Sequence, residues 1–181
     1  GADLSAPRHG CGMGLTFLRH PKVDAPGICY GRSDVPLAAG SADAIARAVL
    51  QVPSGARILS SPAARCLALA QALDGPLTVE PRFQELSFGA WEGRPWAEID
   101  RAESDPWAED PQNRAPPGGE TFTQLSMRVT EALRGVDNAI IVTHAGPIRA
   151  WQIALGLVDF RAAFARSIPF ATPIHLPART G

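Results

Sequence analysis

The chain has 181 residues, of which 45% are hydrophobic and 19% charged, and its formal net charge is -1. That is the composition of a globular domain with a substantial core rather than of a disordered segment. The near-neutral charge gives no basis for a nucleic-acid or anionic-membrane surface, so neither partner is expected.

The first element is the apolar run Leu15-Thr16-Phe17-Leu18, which reads as a strand and delivers Arg19 and His20 where the chain must turn at Pro21. A basic pair is costly to bury, so it is expected to face a crevice at the carboxyl end of the strand. Residues 34–40 read as a turn. A helical stripe of Ile45, Val49 and alanines follows, with Ser41 as N-cap and an end near Pro53-Ser54-Gly55. Residues 56–60 form a second short strand. Ser61 and Pro62 read as the N-cap and first residue of a helix through Leu67 and Leu73 to Gly75, with Arg65 in its first turn.

A third strand at 77–80 is closed by Pro81. Residues 82–119 carry Trp91, Trp96 and Trp107, many prolines and an acidic run. A connection of that length reads as a binding loop or lid, interrupted by a short helix around 95–102. The acidic run reads as a solvated face rather than a metal site, and Trp91 and Trp96 either line a cleft or pack beneath the loop. Phe122, Leu125, Val129 and Leu133 place a helix over 120–133, and the continuous apolar run at 139–143 is a strand covered on both faces. His144-Ala145-Gly146-Pro147 ends that strand, and a helix follows from Ile148 through Trp151 to Leu155. A short helix at 160–166 and an edge strand at 171–176, which holds Pro173 and His175, complete the chain.

Alternating strands and helices argue for a three-layer α/β/α sandwich with a mostly parallel central sheet. Residues 1–12 read as a loose leader with Met13 as an alternative start, leaving one domain over 13–181. Cys11, Cys29 and Cys66 are odd in number and lack a C-x-x-C spacing, so a reducing compartment, the cytoplasm, is expected. No run approaches the roughly 18 apolar residues of a membrane span. Lys22 is the only lysine among the 17 cationic side chains, so any anion site here is built from guanidinium forks.

Arg19-His20, Arg65, Glu85 and His144 each follow one of the expected parallel strands, and such positions converge on one edge of the sheet. Two guanidinium groups, two imidazoles and a carboxylate suit phosphoryl transfer without a metal. Arginine forks hold the equatorial oxygens, a neutral imidazole attacks phosphorus, and a carboxylic acid protonates the departing alkoxide.

Six pieces of the chain, in order, give it a family resemblance: LRHP at 18–21, YGRSDVPL at 30–37, SSPAARC at 60–66, ELSFGAWEG at 85–93, PPGGETF at 116–122 and VTHAGPIRA at 142–150. They resemble the histidine phosphatase superfamily, which includes phosphoglycerate mutases and α-ribazole phosphatases, and the latter look most similar. The resemblance implies a phosphoglycerate mutase-like fold and assigns His20 as the nucleophile that becomes phosphorylated. It implies Arg19, Arg65, His144 and the backbone N–H of Ala145 as phosphate-binding groups, and Glu85 as the acid that later helps activate water. Tyr30, Arg32 and Ser33 would form a loop over the substrate, and Glu120 would help place the start of a helix. The family's usual glycine after the nucleophile is Pro21 here, which removes a backbone donor and fixes φ, and the loop from His20 to Gly31 is short. Arg8-His9-Gly10 has no strand before it and reads as a chance match.

The expected activity is therefore a phosphomonoesterase that needs neither metal nor cofactor, acts on a small phosphorylated metabolite such as α-ribazole phosphate, and releases inorganic phosphate. A mutase-type phosphotransferase and a non-catalytic phosphate-binding module are the alternatives.

Overall fold

The structure is a computed structural model that describes residues 14–179. The expected leader, the alternative start at Met13 and Arg8-His9-Gly10 lie outside the described residues. Five strands, β1 (Gly14–Arg19), β2 (Ile58–Ser60), β3 (Leu77–Val79), β4 (Ala139–Thr143) and β5 (Pro173–Pro177), form one sheet in the order β3-β2-β4-β1-β5. The first four run parallel, and β5 lies antiparallel along β1 at the sheet edge. The helices are α1 (Ser41–Val49), α2 (Ala64–Ala70), α3 (Arg101–Glu109), α4 (Phe122–Ala132), α5 (Ala145–Ala154) and α6 (Phe160–Ala165).

Strand alternation divides the apolar side chains between two layers. Leu15, Phe17, Leu59 and Ile141 face α4 and α5, where Leu125, Val129, Ile148 and Trp151 meet them. Leu18, Ile58, Ile140 and Val142 face the opposite way, against Ala48 of α1 and Cys66 and Leu69 of α2. The sheet is thus covered on both sides, as the unbroken apolar run of β4 implies. This is the expected three-layer α/β/α sandwich with a mostly parallel sheet.

Several local expectations change. Ser41 is not the N-cap of α1: Gly40 is, in the left-handed region at φ 81. The Ser41 hydroxyl instead donates to the carbonyls of Ala38 and Lys22, which ties the helix to the loop before it. The second helix starts at Ala64 rather than Pro62 and ends at Ala70, well before Gly75. The Ala64 N–H finds Asp34, whose Oδ1 accepts it at 3.0 Å, while the Ser61 hydroxyl accepts from Ala63 at 3.3 Å and meets His144. Helix α5 begins at Ala145 rather than Ile148. Pro147 is compatible with that start because the first-turn N–H groups of a helix have no intrahelical partner.

The 82–119 connection is ordered rather than a bare loop. It makes short 3-10 turns at Gly89–Trp91 and Trp96–Glu98, then α3, which begins later than the helix expected around 95–102 because the Asp100 side chain caps it by accepting from Ala102. Trp91 is buried with Cys29 and Ile99, and Phe88 and Trp107 pack against them. Helix α4 opens on a capping box, in which the Thr121 hydroxyl accepts from Gln124 N–H while the Gln124 side chain accepts from Thr121 N–H. His175 lies exposed on the edge strand, its Nδ1 3.1 Å from the Thr16 hydroxyl.

Candidate active site

Parallel pairing sets the site's address. Leu18 lies beside Val142, which lies beside Ser60, so the residues that follow these three strands emerge together at one edge. The ladder continues one step past the strands: His20 N–H donates to the Thr143 carbonyl and Ser61 N–H to the Val142 carbonyl, both at 2.9 Å. His20 and His144 are thereby brought face to edge, with ring centroids 5.2 Å apart.

His20 is 2% exposed. Its Nδ1 lies 2.7 Å from the carbonyl oxygen of Pro21, so Nδ1 carries the proton and donates, and Nε2 keeps its lone pair. Desolvation lowers the imidazole pKa to about 3, with Arg65 and Arg19 pushing the same way and the Pro21 hydrogen bond opposing them. The ring is therefore neutral at neutral pH, the state an imidazole nucleophile needs. Pro21 thus supplies the carbonyl that selects the tautomer.

His144 is fully desolvated and also held neutral, its pKa lowered first by burial and then by the charge of Arg65. Arg65 Nη2, which can only donate, sits 3.2 Å from His144 Nδ1, so Nε2 is protonated and donates to the Ser61 hydroxyl at 2.8 Å. Arg65 itself is 1% exposed and donates to the carbonyls of Ser33 (2.9 Å) and Gly31 (2.7 Å). Arg19 donates to the Ile168 carbonyl at 2.8 Å and stacks 3.7 Å above the Phe170 ring. The Nε atoms of both arginines are buried without a hydrogen-bond partner. Such orphaned donors beside a nucleophile are what an incoming anion would satisfy.

Glu85 is anchored by two backbone donors, Leu86 N–H at 2.9 Å and Gly146 N–H at 3.2 Å, the latter at the start of α5. The loop segment that carries it is fixed by Arg128, which donates to the carbonyls of Arg82, Gln84 and Glu85 and pairs with Glu120 at 2.5 Å. A cavity of about 210 Å³ opens here, lined by Arg19, His20, Tyr30, Glu85, Ala145 and Arg149 among others. Arg65 and His144 lie behind this lining rather than in it.

Tyr30 lines the cavity and lies under Arg65, whose guanidinium is 5.3 Å from its ring. Arg32 and Ser33 are held away from it: Arg32 pairs with Glu120 at 3.2 Å, and the Ser33 hydroxyl donates to Glu92 at 2.5 Å. Glu120 braces both this loop and Arg128, while the start of α4 itself is set by Thr121 and Gln124. Of the two tryptophans left open by the sequence, Trp96 lines the cavity, and Trp91 is core, donating from Nε1 to Glu103 at 3.1 Å. Among the described residues no cluster of three His, Cys, Asp or Glu side chains is placed to share a metal ion, and no helix is long and apolar enough to cross a membrane.

Three site residues escape a reading of the sequence. Ser61 looks like a helix cap but orients His144. Arg128 looks like an exposed helix cation but holds the backbone of Glu85. Arg149 lies just over one turn into α5 and reaches the cavity, its guanidinium tethered to the carbonyls of Ala163 and Arg166. Only Arg149 carries a signal, as an isolated cation within the otherwise apolar VTHAGPIRA segment.

Residues 15–172 match the profile of the histidine phosphatase superfamily, branch 1. A bifunctional protein of Mycobacterium tuberculosis is 35% identical over 109 residues, 52% of this chain, which correspond to only 29% of that protein's length. The adenosylcobalamin/α-ribazole phosphatase of Salmonella typhimurium is 28% identical over 152 residues, covering 74% of this chain and 75% of that protein. The crystal structure of a phosphoglycerate mutase from Thermus thermophilus superposes with a TM-score of 0.74 at 28% identity, covering 91% of this chain and 92% of that one. The paired histidines at the ends of β1 and β4, the buried Arg65, the half-buried Arg19 and the carboxylate at the cavity stand alongside these matches, and the chain belongs to the histidine phosphatase superfamily.

Proposed function

We propose that the chain is a metal-independent phosphomonoesterase that acts on a small phosphorylated metabolite through a phosphohistidine on His20. The observation that carries this reading is the hydrogen bond from His20 Nδ1 to the Pro21 carbonyl, which leaves a neutral ring with its Nε2 lone pair beside Arg19. Nε2 attacks phosphorus and the bond to the leaving oxygen breaks, while Glu85 in its acid form gives that oxygen a proton. Water then attacks phosphorus, Glu85 takes the proton back, the P–N bond breaks and inorganic phosphate leaves. Arg19, Arg65 and the Ala145 N–H hold the phosphoryl oxygens, with the start of α5 adding its positive dipole end, and His144 joins them by turning its Nε2–H from the Ser61 hydroxyl to a phosphoryl oxygen. Arg65 takes part by exchanging a loop carbonyl for a phosphate oxygen, so substrate binding loosens the Gly31–Ser33 turn that it now holds. The α-ribazole-type phosphatase activity named for the Salmonella relative is the finer form of this reading, and the expected compartment is the cytoplasm.

Hydrolysis of p-nitrophenyl phosphate in the presence of EDTA tests the proposal. Turnover should persist on chelation, vanish in His20→Ala, and pass through an acid-labile, alkali-stable phosphoenzyme. Loss of activity on chelation, or full activity in His20→Ala, overturns it. Release of phosphate rather than its transfer between positions of 3-phosphoglycerate separates it from a mutase.

A further inference from the structure

Beside the catalytic cavity lies a second one of about 300 Å³, and Leu86, Phe88, Phe122 and Phe164 line both. Its remaining walls include Trp107 and Ala108 of α3, and no charged residue lines it. Its position relative to the chemistry is set by the chain, because Leu86 directly follows Glu85, the group placed to protonate the leaving oxygen. The portion of a substrate beyond that oxygen is therefore directed toward the shared apolar wall.

The wall is aromatic and preformed. Phe88 meets Trp107 edge to face with centroids 5.7 Å apart, and Trp107 stacks with Trp96 at 6.2 Å. Rings in such surroundings favour another ring, through offset and edge-to-face contacts, over an aliphatic chain. A charged leaving group would have to be desolvated there without a partner.

Building on the phosphomonoesterase reading, we propose that the substrate's leaving group carries a planar, uncharged aromatic ring that seats in this second cavity. The site then selects aromatic phosphomonoesters over phosphorylated amino acids, hydroxyacids and short polyols.

Non-hydrolysable phosphonates separate this from the catalytic reading, because their binding needs no turnover. By calorimetry, 2-(2-naphthyl)ethylphosphonate should bind the wild-type protein at least roughly tenfold more tightly than ethylphosphonate, from the aromatic area it buries. In Ala108→Trp, which fills the cavity from the exposed face of α3, that ratio should fall to about twofold or less. Equal wild-type affinities for naphthyl and ethyl phosphonates overturn the proposal, as does a preference that survives Ala108→Trp in folded protein. Preferential binding without hydrolysis of the matching phosphate esters would remove the phosphomonoesterase reading and leave the aromatic site standing. Hydrolysis without preference would do the reverse.

Discussion

Gly146 has no side chain where the carboxylate of Glu85 stands: a Cβ on Gly146 would lie 2.0 Å from Glu85 Oε1. The backbone N–H of the same glycine donates to the other carboxylate oxygen at 3.2 Å. The glycine thus both admits the acid and aims it. In Gly146→Ala the clashing atom is the end of a flexible side chain, so the fold should tolerate the change, and the helix gains up to about 1 kcal/mol in propensity. Glu85 must swing away, however. Turnover of alkyl phosphates, which need a proton on the leaving oxygen, should fall by about 10²-fold or more, and that of p-nitrophenyl phosphate much less. An unchanged melting temperature with a leaving-group-dependent loss is the expected pattern; equal losses for both esters would refute the acid role of Glu85.

Ser61 is a positioning residue, acting through His144. Ser61→Ala leaves the His144 Nε2–H buried without its oxygen, a loss of about 1–3 kcal/mol. It also frees the ring to rotate toward Cys66, whose Sγ is already 3.5 Å from Nε2. The expected result is a kcat reduced about tenfold or more with a smaller change in KM, alongside a melting temperature lowered by several degrees. Ser60→Ala serves as the control: its buried hydroxyl donates to the Ser61 carbonyl and touches neither imidazole. If both variants lose stability and activity in parallel, Ser61 is structural only.

What the sequence makes legible follows from how each signal arises. The strands and the residues that end them can be read because apolar runs, prolines and turns are local, and parallel pairing then fixes where their ends meet. His20, Arg65, Glu85 and His144 were therefore reachable. The braces were not, because they are made across long separations. Glu92 accepts from Ser33 59 positions away, and Arg128 binds the Glu85 carbonyl 43 positions away. Nothing near either residue marks it. Cap assignments failed for a related reason: Ser41 and Ser61 have the right residue type at the right place, but tertiary partners claim both hydroxyls.

Glu92 gathers the loop over the cavity. Its carboxylate accepts the backbone N–H groups of Arg32 (3.0 Å), Ser33 (2.7 Å) and Phe88 (3.0 Å), and the Ser33 hydroxyl. Burial alone would raise its pKa, but these donors hold it below the usual carboxylate value. Glu92→Ala removes all four bonds and leaves the Gly31–Ser33 turn attached through Arg65 and the Arg32–Glu120 pair. KM for phosphomonoesters should rise about tenfold, since Tyr30 loses its fixed place, while kcat falls less, since the histidines and Glu85 are untouched. A kcat effect larger than the KM effect would place Glu92 in the chemistry instead.

The two buried imidazoles also set how stability depends on pH. Both have pKa values below the ordinary 6.5, His20 at about 3 and His144 well below 6.5. Above pH 6.5 neither the folded nor the unfolded chain protonates them, and their contribution to stability is complete. As pH falls below 6.5 the unfolded chain binds protons that the folded chain cannot, so stability declines, and for His20 the decline continues to about pH 3. The loss is at most about 1.4 kcal/mol per pH unit for each imidazole. Between about pH 6.5 and 5.5 the decline belongs to the histidines, because Glu80, Glu92 and Glu120, whose pKa values are lowered from 4.5, add to it only as the unfolded chain begins to protonate them closer to 4.5. Melting curves across this range should shift downward steadily in the wild type. His20→Ala should show a shallower slope, closer to one proton than two, whatever its stability at pH 7. An identical slope in the variant would mean that His20 is charged in the folded protein, and with it the nucleophile's neutral state would be lost.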